Sequence, residues 1–80
     1  MITTLAEARA ALANAIADYE ADAGSPSDDV WYNLVVATAF RIVLEDSEGA
    51  SLAREFCRTQ LGQIPQDLEP YLGKKDWVDG

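Results

Sequence analysis

The chain has 80 residues, a net charge of −8, no histidine and a single cysteine, Cys57. This length fits one domain, and one cysteine excludes an internal disulfide bond. Without histidine, the sequence lacks the usual zinc ligand sets and any histidine-based catalytic triad. It also lacks a glycine-rich phosphate loop. We therefore expect a protein that is not an enzyme and binds no cofactor or metal.

The N-terminus has no basic stretch ahead of an apolar one, which is the pattern of a secretory signal. The longest apolar run is interrupted by Arg41 and is too short to span a membrane. We therefore expect a cytoplasmic protein without membrane contacts. Its acidity also argues against direct nucleic-acid binding, because carboxylates and phosphates repel each other.

The first helix is predicted over residues 4–23. Thr4 and Glu7 have the spacing of a capping box at its start, and the segment that follows is rich in alanine, the strongest helix former. Larger apolar side chains form a narrow inner stripe: Leu5, Leu12, Ile16 and Tyr19. Gly24 is expected to end the helix.

The second helix is predicted over residues 27–46, around the most apolar run of the chain, residues 30–44. This run is rich in residues that favour strands, but its length without glycine or proline exceeds that of an ordinary strand. Thr38, Arg41 and Glu45 share one polar face, and roughly two-thirds of the circumference is apolar. Such a helix should be buried among neighbours or in a dimer.

Two serines are candidate N-caps for this helix: Ser25, with Pro26 at the first helical position, or Ser27. Asp28 and Asp29 follow at the end where the helix dipole favours negative charge. Because few residues separate the first two helices, they should lie antiparallel.

The third helix is predicted over residues 50–61, with Ser47 or Ser51 as its N-cap and Gly62 at its end. Its side chains divide into an apolar inner face and a charged outer face. The inner face is Leu52, Ala53, Phe56, Cys57 and Leu61, and the outer face is Arg54, Glu55 and Arg58. Cys57 is therefore expected to be a small core residue.

Two prolines predict short turns within residues 65–72, whose apolar residues would close one end of the core: Ile64, Leu68, Tyr71 and Leu72. In the tail, residues 73–80, Trp77 either pins the tail onto the core or anchors an interface.

The predicted fold class is all-α. It is a small three-helix bundle with a short turn-like or helical C-terminal segment, in one domain covering residues 1–80.

Almost all of the net charge lies on the first two helices. Residues 1–48 hold nine acidic and two basic residues, whereas residues 49–80 hold five and four. The acids gather at the two ends of the predicted helix pair. One end, the Gly24 pole, carries Asp18, Glu20, Asp22, Asp28 and Asp29, and the other, the Glu45 pole, carries Glu45, Asp46 and Glu48.

Several of these carboxylates oppose helix stability. Asp18 and Asp22 are like charges four residues apart, and with Glu20 they lie near the negative end of the first helix dipole. Local rules tend to be broken at functional sites. We therefore predict that both poles, together with Trp77, bind a partner protein whose basic surface normally binds nucleic acid.

A very short, acidic, helical chain without catalytic residues resembles the small phage-encoded anti-CRISPR proteins. Some of that class are DNA mimics that occupy the nucleic-acid channel of a CRISPR effector. The resemblance rests on the acidic residues of the two poles, and it implies a bacterial CRISPR effector complex as the partner. The cytoplasm would then be that of a bacterial host.

Two other functions fit the same residues. The excess apolar surface of the second helix would suit a small dimerisation or adaptor module, so both a monomer and a homodimer are compatible with the sequence. An antitoxin-like inhibitor of a basic toxin would carry the same acidic poles. Sequence reasoning does not separate this last function from that of an anti-CRISPR protein.

Overall fold

A computed structural model describes residues 1–45 and 49–72 of the chain. In these residues it contains three α-helices and one short 3₁₀ helix, and no strand. They are α1 (Leu5–Ala23), α2 (Asp28–Glu45), α3 (Ala50–Leu61) and the 3₁₀ helix Glu69–Tyr71. Each α-helix packs against the other two. The predicted all-α three-helix bundle with a turn-like C-terminal segment is therefore confirmed.

The predicted capping box is present at the start of α1. The Glu7 N–H donates to Thr4 Oγ1 at 3.1 Å, and the Thr4 N–H donates to Glu7 Oε1 at 3.2 Å. Thr3 adds two bonds to the same carboxylate oxygen, from its N–H at 2.8 Å and its hydroxyl at 2.7 Å. These bonds hold the chain just before the helix, where Ile2 is buried in the core. Sequence reasoning had not placed Ile2 there.

The same bonds favour the charged carboxylate, so they lower the pKa of Glu7 below its ordinary value of 4.5, with the Thr3 hydroxyl as the largest cause. A lowered pKa stabilises the fold above the unfolded-state pKa, and the contribution is lost as pH falls through the folded-state pKa. We therefore expect the Tm of Glu7→Gln to fall less than that of the wild type on acidification from pH 7 to pH 3. Circular dichroism melts measure this difference.

Thr3→Val is the graded control for that experiment, because it removes only the hydroxyl donor and keeps the two backbone bonds to Glu7. Its pH dependence should lie between those of the wild type and Glu7→Gln. Equal pH dependence in all three proteins would show that the capping box does not contribute to acid sensitivity.

The connection between α1 and α2 is short and well defined. Gly24 ends α1 with a backbone φ of +82°, a value that residues other than glycine rarely adopt. Its N–H donates to the Glu20 carbonyl at 3.1 Å. Ser27, the second of the two candidate caps, accepts at Oγ from the Val30 N–H at 3.3 Å. Its carbonyl accepts from the Trp31 N–H at 2.8 Å. The four-residue connection places α1 and α2 antiparallel.

The core lies where the three helices and the C-terminal turns meet. Its buried apolar residues are Ile2, Ala8, Leu12, Val35, Ala39, Ile42, Ala53, Phe56, Cys57, Leu68 and Leu72. Phe56 is the largest of the fully buried side chains. Each α-helix contributes an alanine to this set, and these small side chains let the backbones approach closely. The inner face expected for α3 is present, with Leu52 and Leu61 packed at the rim of the core.

The polar face expected for α2 is only partly correct. Arg41 and Glu45 are exposed, but Thr38 is buried, with 6% of its surface accessible. Its hydroxyl donates to the Leu34 carbonyl one turn earlier, at 2.9 Å. This bond satisfies the hydroxyl inside the helix, so Thr38 is buried without an unpaired polar group.

Two expectations for α3 are wrong. Its N-cap is Gly49, without a side-chain cap bond, and Ser51 lies inside the helix; Ser47 lies outside the described residues. Arg54 is not on the outer face but half-buried, and its guanidinium donates to the Leu72 carbonyl. A long arginine stem can cover apolar surface while its charged head reaches a backbone acceptor.

The C-terminal turns close one end of the core. The Leu68 N–H donates to the Pro65 carbonyl at 3.1 Å, and the Tyr71 N–H donates to the Leu68 carbonyl at 2.9 Å. Leu68 and Leu72 are buried as expected, whereas Tyr71 is 54% exposed, so its expected place in the core is wrong. Its ring instead lies edge-on to Phe40 of α2, with centroids 5.2 Å apart. The tail, residues 73–80, lies outside the described residues.

Candidate functional site

The five carboxylates of the Gly24 pole lie at one end of the α1–α2 hairpin. Three come from the last two turns of α1, and Asp28 and Asp29 form the first turn of α2. All five side chains are exposed. The sharp turn at Gly24 brings the negative end of α1 next to the start of α2, so charges from two helices share one small surface.

No basic residue neutralises this surface from nearby in the sequence. The last turn of α1 contains none, and the stretch between Arg9 and Arg41 has no arginine or lysine. Within residues 1–45 and 49–72, the only ion pair is that of Arg41 with Glu45. Among these described residues, none of the five carboxylates of the Gly24 pole is in an ion pair.

The geometry of α1 divides its three acids between two faces. Asp18 and Asp22 are four residues apart, so they lie on one side of the helix, about 6 Å apart along its axis. Glu20 points to the opposite side, because two residues correspond to about 200° of helical rotation. The pole thus presents negative charge over a broad end surface rather than along a single line.

The Glu45 pole is only partly visible in the described part of the chain. Glu45 accepts a hydrogen bond from Arg41 Nε at 3.2 Å, one turn earlier on α2. Its charge is therefore partly balanced within the helix. Asp46, Glu48 and Trp77, the other residues predicted to bind the partner outside the Gly24 pole, lie outside the described residues.

Cys57 is fully buried, as expected for a small core residue. Burial in apolar surroundings raises the pKa of its thiol to about 11. At neutral pH the sulfur is therefore protonated and inaccessible. Among the described residues, no three cysteine or acidic side chains come close enough together to hold a metal ion.

Two shallow grooves are open at the surface. One of about 490 Å³ lies between α3 and the C-terminal turns, where Arg54 and Arg58 face Glu69. The other, of about 380 Å³, follows α1 from its start to Asp18, with Arg41 at its edge. Both grooves mix the two signs of charge, and the second shares Asp18 with the Gly24 pole.

An exposed apolar patch lies on the outer side of α2, where sequence reasoning expected excess apolar surface without naming its residues. Leu44 is 75% exposed, although it belongs to the run expected to be kept from water. The Phe40–Tyr71 ring pair lies one helical turn away from it. No local sequence pattern identifies this patch, because Tyr71 lies beside Phe40 only through the packing of the C-terminal turns.

Comparison with known protein families, with curated proteins and with solved structures finds no match to this chain. None of the helices in residues 1–45 and 49–72 has both the length and the apolarity required to cross a bilayer.

Proposed function

We propose that this protein is a non-catalytic inhibitor that binds a basic, nucleic-acid-binding surface of another protein through the Gly24 pole. The observation that carries the proposal is the set of five exposed carboxylates with no basic residue between Arg9 and Arg41 to neutralise them. Carboxylates about 6 Å apart along a helix approximate the dense negative charge of a polynucleotide strand. Complementary charge would steer the two proteins together and select the partner.

The partner that fits the resemblance to small anti-CRISPR proteins is a bacterial CRISPR effector complex. Its nucleic-acid channel must be strongly basic to hold guide and target strands. Occupation of that channel by the Gly24 pole would block target DNA without any chemical step. An antitoxin-like inhibitor of a basic toxin would use the same charges. Binding assays with a purified CRISPR effector complex and with purified toxins distinguish an anti-CRISPR protein from an antitoxin-like inhibitor.

Removing the charges of the Gly24 pole should abolish inhibition. The variant carries D18N, E20Q, D22N, D28N and D29N, which keep the side-chain shapes while removing five charges. We expect at least about a tenfold loss of affinity for a purified CRISPR effector complex, and a similar weakening of the wild type between low and high salt. A gel-shift assay of target DNA binding by the effector measures the inhibition.

A matched pair of double variants controls for net charge. D28N/D29N alters the Gly24 pole, and E55Q/D67N removes the same number of charges from exposed residues elsewhere. Only the first should weaken inhibition. Full inhibition by the five-residue variant, or equal losses in the two double variants, would contradict the proposal.

A dimerisation or adaptor module is the second candidate, and the exposed Leu44 and Tyr71 are the observation that favours it. Two copies meeting through this patch would bury it. Light scattering at low and high salt tests this function, because a dimer held by apolar contacts should keep its mass as salt rises.

A further inference from the structure

The groove between α3 and the C-terminal turns contains the only two basic side chains that lie one helical turn apart in residues 1–45 and 49–72. Arg54 and Arg58 are four residues apart on α3, which is about 6 Å along the helix axis. The apolar side chains of Ile64 and Leu72 and the carboxylate of Glu69 also line the groove. Its volume of about 490 Å³ falls within the range of about 300–1,000 Å³ that is typical of ligand pockets. The groove therefore has room for an aromatic side chain together with a charged group.

Leu72 fixes the start of the tail at the wall of this groove. It is the last described residue before residues 73–80, and only 2% of its surface is accessible. Its carbonyl accepts a hydrogen bond from the Arg54 guanidinium. An extended chain advances about 3.3–3.6 Å per residue, so Trp77, five residues later, can reach up to about 17 Å from Leu72. That reach exceeds the length of α3 between Arg54 and Gly62, which is about 12 Å, so the tail is long enough to follow the groove.

The sequence of the tail matches the chemistry of the groove. Two lysines come first, followed by Asp76 and Trp77. The Asp76 carboxylate suits Arg58, whose side chain is exposed and makes no ion pair with another described residue. The lysines suit Glu69, and the Trp77 ring suits Ile64, which is half-buried at the rim of the core. The groove and the tail are therefore complementary both in charge and in apolar surface.

We propose that residues 74–79 of the tail occupy this groove. Asp76 pairs with Arg58, and the Trp77 ring packs between Ile64 and the guanidinium of the same arginine. The two contacts of Arg58 use different parts of its side chain, because the edge of a guanidinium donates to a carboxylate while its face stacks on an aromatic ring. Trp77 then belongs to the fold and not to the surface that binds a partner. The inference goes beyond the proposed function, because no residue of the Gly24 pole lines the groove.

Covalent attachment selects the tail as the occupant over any other acidic segment. A segment tethered by a short linker has an effective concentration in the millimolar range, without any new contact being made. An acidic segment of a partner protein, or of a second copy of the chain, would have to displace a segment that already starts at Leu72. The groove is therefore filled from within the same chain.

Trp31→Phe leaves Trp77 as the only tryptophan. Acrylamide, a neutral quencher, then reports the exposure of Trp77 without bias from the charge of the arginines. We expect the quenching constant to be at least about threefold below that of N-acetyltryptophanamide, because packing shields the faces of the indole ring. R58Q and D76N should each raise the constant at least about twofold by removing the charged pair. R9Q, the matched change at an exposed arginine on α1, should not raise it.

Nuclear Overhauser effects in the unaltered chain locate the ring directly. Effects between the Trp77 indole protons and the Ile64 methyl protons require the two side chains to be in contact. We expect to observe them at every protein concentration, because the contact lies within one chain.

Four results would overturn the inference. Shielding of Trp77 without effects to Ile64 would place the tail elsewhere, and quenching equal to that of N-acetyltryptophanamide would show that the ring is not packed. Equal effects of R58Q and R9Q on quenching would exclude the pair with Arg58. Loss of the Ile64 effects on dilution would assign the occupant to a second copy of the chain. None of these results bears on inhibition by the Gly24 pole, so the proposed function is tested separately.

Discussion

Replacing Phe56 by alanine is expected to lower the free energy of unfolding by about 3–5 kcal/mol. Phe56 lies on α3, has no accessible surface, and is the largest of the fully buried side chains. Its removal leaves a cavity between tightly packed helices, and the lost contacts add to the lost transfer free energy. At about 0.05–0.15 kcal/mol per residue, the stability of such a chain is only about 4–12 kcal/mol. Urea denaturation followed by circular dichroism measures the loss.

Leu44→Ala is the matched control for this prediction. Leu44 is also a large apolar residue on a helix, but it is 75% exposed. Its truncation should change the free energy of unfolding by no more than about 0.5 kcal/mol. Similar losses in both variants would mean that Leu44 is covered in solution, by a second copy for instance, and that the monomeric description of this surface is wrong.

Leu68→Ala should destabilise the protein by about 2–5 kcal/mol, because Leu68 is fully buried although it lies in a turn. The substitution tests whether the C-terminal turns are part of the cooperative core. Gln66→Ala, an exposed change in the same turn, should be nearly neutral. A loss below about 1 kcal/mol for Leu68→Ala would show that the turns open independently of the three helices.

Local patterns predicted most of the helical architecture. The Thr4–Glu7 capping box, Gly24 and Gly62 mark helix ends through bonds within a few residues, and the structure contains them where they were expected. The inner face of α3 followed from helical periodicity alone. These features depend only on residues that are close in sequence, so they can be predicted without knowledge of the fold.

Two of the errors come from long-range contacts. Arg54 was assigned to the outer face by its charge, but its guanidinium meets the carbonyl of Leu72, eighteen residues later. Tyr71 was assigned to the core by its apolar character, but it packs against the edge of Phe40 on another element. The error at Thr38 has a local cause: Thr38 was placed on the polar face of α2, but a hydrogen bond to the Leu34 carbonyl of the same helix removes the cost of burial. Charge and polarity alone do not reveal such partners.

The candidate site likewise has a part that local sequence patterns predict and a part that depends on long-range contacts. The acids of the Gly24 pole could be placed at one end of the hairpin because they lie within a few residues of a clear turn signal. Their exposure in the structure agrees with that placement. The apolar patch on α2 was anticipated only as excess apolar surface and not by residue, because Leu44 belongs to an apolar run and Tyr71 reaches Phe40 through tertiary packing.

The burial of Cys57 also makes its sulfur a natural reporter of transient opening. With a pKa raised to about 11 and no accessible surface, the thiol cannot be alkylated while the three helices remain packed. The rate at which an alkylating reagent modifies it therefore reports how often the bundle opens. Dyes attached through cysteines introduced on the surface would, for the same reason, leave this native sulfur unlabelled.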